Sequence, residues 1–141
     1  MAMTVHVDIV SAEREIFSGQ AEMIFAPAIL GEVGIAPGHT PLLTRLGPGE
    51  VRLNLGDNKH EAFYVSGGML EVQPRVVTIL SDTAQRAEDL DEAAAMKAKE
   101  DAERMLSEGH AKMDYAAALA ELAEAAAQLQ TIARLRRRSG R

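Results

Sequence analysis

Residues Gly31 to Leu46 read G-E-V-G-I-A-P-G-H-T-P-L-L-T-R-L, and the choice of fold rests on how a backbone can accommodate them. Three glycines and two prolines among the first eleven residues rule out a helix and interrupt any long strand. Glycine brings no fixed backbone preference, and proline removes a hydrogen-bond donor. The stretch is therefore read as a shaped, irregular loop, and a loop of this length in a compact domain usually has a contact or binding role. Val33, Ile35, Leu42 and Leu43 are expected to tuck beneath it, leaving Glu32, His39 and Arg45 to reach outward. That pattern describes a platform for contact rather than a catalytic pocket.

Outward from this stretch, the first part of the chain reads as short strands divided by turns. Val5, Val7 and Ile9 alternate with Thr4, His6 and Asp8, the period of two that marks a strand with one buried face. Further strands are expected at Glu22 to Ala26, Leu42 to Leu46, Val51 to Leu55, Glu61 to Val65, Met69 to Val72 and Val76 to Leu80. Gly47-Pro48-Gly49 and Gly56-Asp57-Asn58 supply turns, and Gly67-Gly68 reads as a bulge or a close backbone crossing. Many short strands at this spacing predict a small antiparallel sandwich or flattened barrel.

Composition changes near Ala87. All five prolines and nine of the eleven glycines precede it, while alanine, glutamate and lysine dominate afterwards. Asp89 with Glu92 predicts a capped helix start, followed by a stripe of Leu90, Ala94, Ala98, Ala102 and Met105. A break is expected at Ser107 to Lys112 with Gly109 as cap. Asp114 then starts a second helix bearing Leu119, Leu122, Ala126, Leu129 and Ala133. The fold class is thus α+β in two parts: an N-terminal antiparallel β-sandwich over 1–86, then a C-terminal antiparallel helical hairpin over 87–141, with helices at about 90–107 and 114–137. Its facing residues are small, so the hairpin is expected to bury little area and to be able to detach or open.

Several functional classes are excluded by composition. Cysteine is absent, which removes disulfides, thiolate metal sites and a cysteine nucleophile together. A net charge of −6 argues against a general nucleic-acid binder, which needs a basic surface. The start alternates like a strand rather than reading as a signal or transit peptide. The longest apolar run, Met23 to Leu30, is eight residues and contains a proline, against the roughly 20 that span a bilayer. Histidines at 6, 39, 60 and 110 have no ligand-like partner at helical spacing, so no metal site is expected. For His39 a hydrogen bond that shapes the loop is the expected task. Ser66 lacks the flanking pattern of a nucleophile elbow, and Gly31 to Gly34 has no following lysine and helix to cradle a phosphate.

The tail has a distinct electrostatic character. From Ala125 onward there are five arginines and no acid, whereas Ala87 to Glu124 carries eleven acids against four basic residues. Such cations complement the helix dipole, and they also form a docking patch for an acidic surface, with Arg134, Arg136, Arg137 and Arg138 as its candidates.

The Gly31 to Leu46 stretch, S-G-G-M-L-E-V-Q-P at Ser66 to Pro74, and D-L-D-E-A at Asp89 to Ala93 together resemble the epsilon subunit of bacterial F-type ATP synthase. The resemblance runs from Val5 to about Leu135, with the motifs in the family's order and spacing. It implies a non-catalytic rotor subunit of the central stalk that couples proton-driven rotation to ATP synthesis and restrains ATP hydrolysis through its C-terminal helices. Implied partners are the gamma subunit, the c ring and the alpha/beta catalytic head; nucleic acid and direct membrane insertion are not expected. The implied place is peripheral, on the cytoplasmic face of the bacterial inner membrane. By the same resemblance Glu32, with Val33 and His39, is expected to meet the c ring, and the arginine tail to meet acidic segments of the catalytic subunits.

Some bacterial relatives bind ATP through an I/L-D-x-x-R-A motif with a further arginine one heptad along. Leu90, Asp91 and Ala95 match, but Ala94 and Asp101 stand where the arginines belong. Alanine offers a phosphate no donor and aspartate repels it, so no cofactor is expected. Two rival readings come from other classes: a free-standing β-sandwich enzyme with His39 as base, and a chaperone-like hairpin that grips client helices. The ATP expectation is directly testable: calorimetry should find no binding below millimolar nucleotide, and a submillimolar dissociation constant would show the missing arginines to be dispensable.

Overall fold

The computed structural model describes residues 3–108 and 112–139. Ten strands come first: β1 Val5–Ser11, β2 Glu15–Ala21, β3 Met23–Ala28, β4 Gly31–Ile35, β5 Leu42–Leu46, β6 Gly49–Gly56, β7 Lys59–Val65, β8 Gly68–Val72, β9 Val76–Ser81 and β10 Ala84–Arg86. A 3-10 turn at Ala87–Asp89 leads to α1, Glu92–Ser107, and α2, Lys112–Ser139. The strands form one ribbon in the order β10-β7-β6-β3-β5-β8-β9-β1-β2, with β4 paired to β3. Pairing is antiparallel except between β1 and β9. The ribbon curls until β10 meets β2, giving a flattened, nearly closed sandwich.

Alternation fills its centre. Val5, Val7 and Ile9 of β1, Val51 and Leu53 of β6, Phe63 and Val65 of β7, Leu70 and Val72 of β8, and Val77 and Ile79 of β9 form one buried cluster. Each such side chain contributes about 1.5–3 kcal/mol by leaving water.

Several sequence expectations need correction. The first third of the Gly31 to Leu46 stretch is not irregular: β3 and β4 form a hairpin in which Ala28 faces Gly31 and Ile24 faces Ile35. At Gly34 a Cβ would come within 2.9 Å of the Met23 Cε and 3.2 Å of the Phe25 ring, so any larger residue would displace those side chains. Only residues 36–41 are loop. Leu43 does not tuck under but stands 67% exposed, since alternation along β5 turns Leu42 and Leu46 inward and Leu43 outward. The expected strand at Glu22 to Ala26 is the middle of a longer excursion, with β2 and β3 parted by Glu22 alone. β5 and β6 do not pair across Gly47-Pro48, because β3 lies between them. Asp57 and Asn58 both have positive φ, the two-residue turn geometry that suits a twisted hairpin.

The helices are also shifted in phase. Asp91, not Asp89, caps α1, its carboxylate accepting from the Ala94 N–H at 3.1 Å. Ala95 and Ala102 are the buried positions, while Ala94 and Ala98 face solvent. On α2 the buried positions are Ala118, Ala125, Thr131 and Ile132, with Leu122 and Leu129 half-buried, and Leu119, Ala126 and Ala133 are exposed. A run of alanines gives little contrast between neighbouring faces, so the leucines alone left the phase ambiguous by one residue. The helices are antiparallel, since Arg136 near the end of α2 pairs with Glu92 at the start of α1. The expected cap at Gly109 lies outside the described residues. Rather than α1, it is α2 that rests on the sandwich, against β6, β7 and the 3-10 turn.

Gly68 marks the tightest backbone approach: with φ of 129°, a Cβ would sit 1.9 Å from the Leu80 carbonyl oxygen. Gly68→Ala should therefore lose on the order of 3 kcal/mol from strain and overlap. Gly47→Ala, where a Cβ meets nothing within 4 Å, should change stability by less than about 1 kcal/mol. Thermal unfolding followed by circular dichroism separates the two.

Candidate functional site

The face of the sandwich beneath α2 is built by the same alternation that builds the core. With Val51 and Leu53 turned inward, β6 presents Glu50, Arg52 and Asn54 outward, directly opposite Tyr64, Ala62 and His60 of β7. On the next strand Phe25 is the partner of Arg52, whose guanidinium lies 4.6 Å from the ring centre. Glu50 is the one charged residue buried among the described residues, its side chain only 1% exposed. Arg52 approaches it at 3.5 Å, and Arg134 and Arg138 of α2 approach at 3.8 and 2.8 Å. Arg52 also donates to Glu32 at 2.7 Å. Beside this cluster a cavity of about 310 Å³ opens between sheet and helix, lined by Phe25, Arg52, His60, Leu135 and Arg138 among others.

Farther along α2, Tyr64 is buried beside Glu124 and Gln128. Burial first, then the Glu124 carboxylate, pushes its phenol up to about 12, and the buried hydroxyl has no hydrogen-bond partner among the described residues. Glu124 is itself raised, mainly by burial and then by Glu121 and Asp82.

The residues singled out in the sequence are distributed as follows. Glu32 is half exposed on β4 and tied to Arg52. Val33, next to it, packs against the core. His39 lies beyond β4 in the 36–41 loop, and its Nδ1–H donates to the Thr40 carbonyl at 2.7 Å. That bond fastens the ring to its own loop. In the tail Arg134 and Arg138 reach Glu50, Arg136 forks onto Glu92, and Arg137 is exposed. Leu90 is half-buried, Asp91 is occupied as the cap of α1, and Ala95 is buried. Ala94 is exposed, and Asp101 accepts from Arg104 at 3.0 Å.

The opposite wall differs. On the outer surface of β5, β8, β9 and β1, Arg45, Met69, Leu80 and Val10 stand side by side across the ladder, and Leu43 faces Glu71 in the next row. Leu43, Leu80 and Val76 are exposed at 67%, 49% and 39%, and Leu80 with its neighbours Met69 and Val10 forms an apolar patch that no described helix covers. Beside it His6, Asp8 and Ser18 form a cluster that superficially suggests a triad. Both Asp8 and Ser18 meet the same imidazole nitrogen, Nε2, at 3.0 and 3.2 Å, and Ser18 donates directly to Asp8 at 2.7 Å. A proton relay needs the acid and the hydroxyl on opposite nitrogens, so this is a cross-strand polar contact. Among the described residues no group of three or more histidine, aspartate or glutamate side chains is placed to hold a metal, and no helix is long and apolar enough to cross a membrane.

Glu50 and Arg52 were not singled out in the sequence. Their signal was the polar alternation Glu50, Arg52, Asn54 on a strand, together with arginines four apart at 134 and 138. Nothing local joins two segments 88 residues apart.

Comparison with known proteins places the chain. Residues 4–87 match the family described as ATP synthase, Delta/Epsilon chain, beta-sandwich domain, and residues 88–133 match its long alpha-helix domain. The ATP synthase epsilon chain of Nitrosococcus oceani is 66% identical over 99% of this chain and 100% of its own length. Epsilon chain 1 of Methylococcus capsulatus is 61% identical over 97% and 98% of the two chains. In solved structures, a chain of the Euglena gracilis mitochondrial ATP synthase OSCP/F1/c-ring assembly shares the fold with a TM-score of 0.79 at 22% identity, covering 87% of this chain and 78% of that one. A chain from the Tetrahymena thermophila mitochondrial ATP synthase central stalk and c ring shares it with a TM-score of 0.63 at 13% identity, covering 92% and 97%. A sandwich followed by a helical hairpin, matched in both parts and along the full length of close relatives, means that the chain belongs to the ATP synthase epsilon chain family.

Proposed function

We propose that this chain acts without chemistry of its own, as the part of the ATP synthase rotor that joins the c ring to the gamma subunit and restrains ATP hydrolysis. The observation that carries this reading is the division of its surfaces. One wall of the sandwich is held under α2 by charge, and the other presents Leu43, Met69, Leu80 and Val10 with no cover from the described residues.

The uncovered strip is assigned to the gamma subunit. Apolar side chains in register across β8, β9 and β1, with Leu43 of β5 one row along, gain by leaving water, and a strand surface gives them a rigid frame. The β3–β4 hairpin is assigned to the c ring: its tip carries Leu30 at 96% and Ile29 at 56% exposure, next to Glu32. A partner cation there would compete with Arg52 for the Glu32 carboxylate. The helical hairpin is assigned the restraint of hydrolysis, through Arg134, Arg136, Arg137 and Arg138 meeting acids of the catalytic head. In the folded hairpin three of these arginines are engaged within the chain, so restraint requires α2 to leave the sandwich. The proposed setting is peripheral to the membrane, on the cytoplasmic side.

Truncation tests the restraint. Ending the chain after Asp89 keeps β10 and the Arg86 to Glu61 ion pair of 2.7 Å, which an earlier stop at Gln85 would remove. The assembled soluble head should hydrolyse ATP several-fold faster with the truncated chain than with the full one; equal rates would remove the hairpin from the restraint. Leu80→Asp tests the assigned wall. It should weaken association with gamma by roughly tenfold or more, as expected for a charge placed in an apolar contact, and unchanged binding would move the interface elsewhere.

A further inference from the structure

Glu50 is surrounded by three guanidinium groups that come from both parts of the chain. Arg52 is its neighbour on β6, while Arg134 and Arg138 stand one turn apart on α2. Arg138 meets the carboxylate as a fork, Nη1 donating to Oε1 at 3.4 Å and Nη2 to Oε2 at 2.8 Å. Arg52 extends the series to Glu32, so alternating charges run from β4 to the last turn of α2 through Glu32, Arg52, Glu50 and Arg138. A carboxylate this far from water is tolerated only while cations stay against it. The other residues that α2 buries are Ala118, Ala125, Thr131 and Ile132, with Leu122, Leu129 and Leu135 half-buried. Small side chains permit close approach but do little to fix the register of a helix on a sheet. Arginines at i and i+4 project from one side of α2 and do fix it.

We propose that Glu50 is the latch of the hairpin. It sets the docked position of α2 and, in the same act, occupies Arg134 and Arg138, so that these two are closed to any other acidic surface until the latch opens. The idea rests on the reading of the hairpin as a movable restraint and assigns the residue that controls it. Release is then an exchange of acids: Arg134 and Arg138 leave Glu50 for carboxylates outside the chain, and Arg52 stays behind to serve both Glu50 and Glu32. An acid on the sandwich thereby decides how readily the tail is offered.

The test uses the full chain alone. Because the chain lacks cysteine, Lys59→Cys and Gln130→Cys, both at exposed positions, take spin labels for pulsed electron resonance distances across the sandwich and α2. Glu50→Gln should lower the ratio of docked to released hairpin by roughly tenfold or more, as when one partner of a buried charge pair is lost. Arg134→Gln with Arg138→Gln leaves the sandwich sequence untouched and should produce a similar release. Combining all three should add little beyond either. A docked distance that persists in the arginine double variant overturns the latch, as do effects that add in full when combined. No hydrolysis is read, so failure of the restraint in the assembled head leaves this measurement standing, and failure here leaves the truncation result standing.

Discussion

A carboxylate taken out of water has to keep cations against it, and in this molecule that requirement joins the two parts of the chain. Glu50 is held on the sandwich by Arg52 and covered from α2 by Arg134 and Arg138. Such a cluster adds little net stability compared with apolar side chains of the same volume, because desolvation offsets the attraction. What it supplies is position. Of the other residues that α2 buries, Ala118 and Ala125 fit almost equally well when slid or rotated slightly, and Thr131 and Ile132 bring no charge to place, whereas two guanidinium groups on one acid fit in one register.

The two parts are stabilised to different degrees for the same kind of reason. The sandwich encloses Ile9, Ile24, Ile35, Leu53, Phe63, Leu70 and Ile79, all essentially without solvent contact. The hairpin encloses Ala95, Ala102, Ala118 and Ala125, with Thr131 and Ile132 the larger side chains it buries among the described residues. At roughly 25 cal/mol per Å² of apolar area, the second set contributes far less. Local opening draws on the elements with the least buried apolar surface, so a change of shape concentrates in the hairpin while the sandwich stays rigid. The rotor role proposed above would draw on that combination: a stiff body to transmit torque and a lightly held arm to engage or withdraw.

The charge pattern follows this division. The arginines that end α2 carry the sign needed to meet an acidic partner, yet in the folded hairpin three of the four candidates are matched within the chain, two by Glu50 and one by Glu92. Intramolecular and intermolecular pairing draw on the same donors, so they exclude one another. This competition is a physical basis for the proposed switching by charge alone.

Much of this was legible in the residues themselves. The alternation of Val5, Val7 and Ile9, the shift from glycine and proline to alanine near Ala87, and the three motifs beginning at Gly31, Ser66 and Asp89 are local patterns. Local patterns determine strand, turn and helix and, through resemblance, the family. The sequence did not determine which face of each helix is buried, because leucines at 119, 122 and 129 are compatible with two phases until a sheet lies beneath one of them. Nor did it show that β4 completes a hairpin, since only pairing with β3 makes Gly34 and Gly31 extended rather than loop. The Glu50 cluster was least legible of all: its members are 88 residues apart, and a buried ion pair has no local signature until the chain is folded and water has been removed from around it.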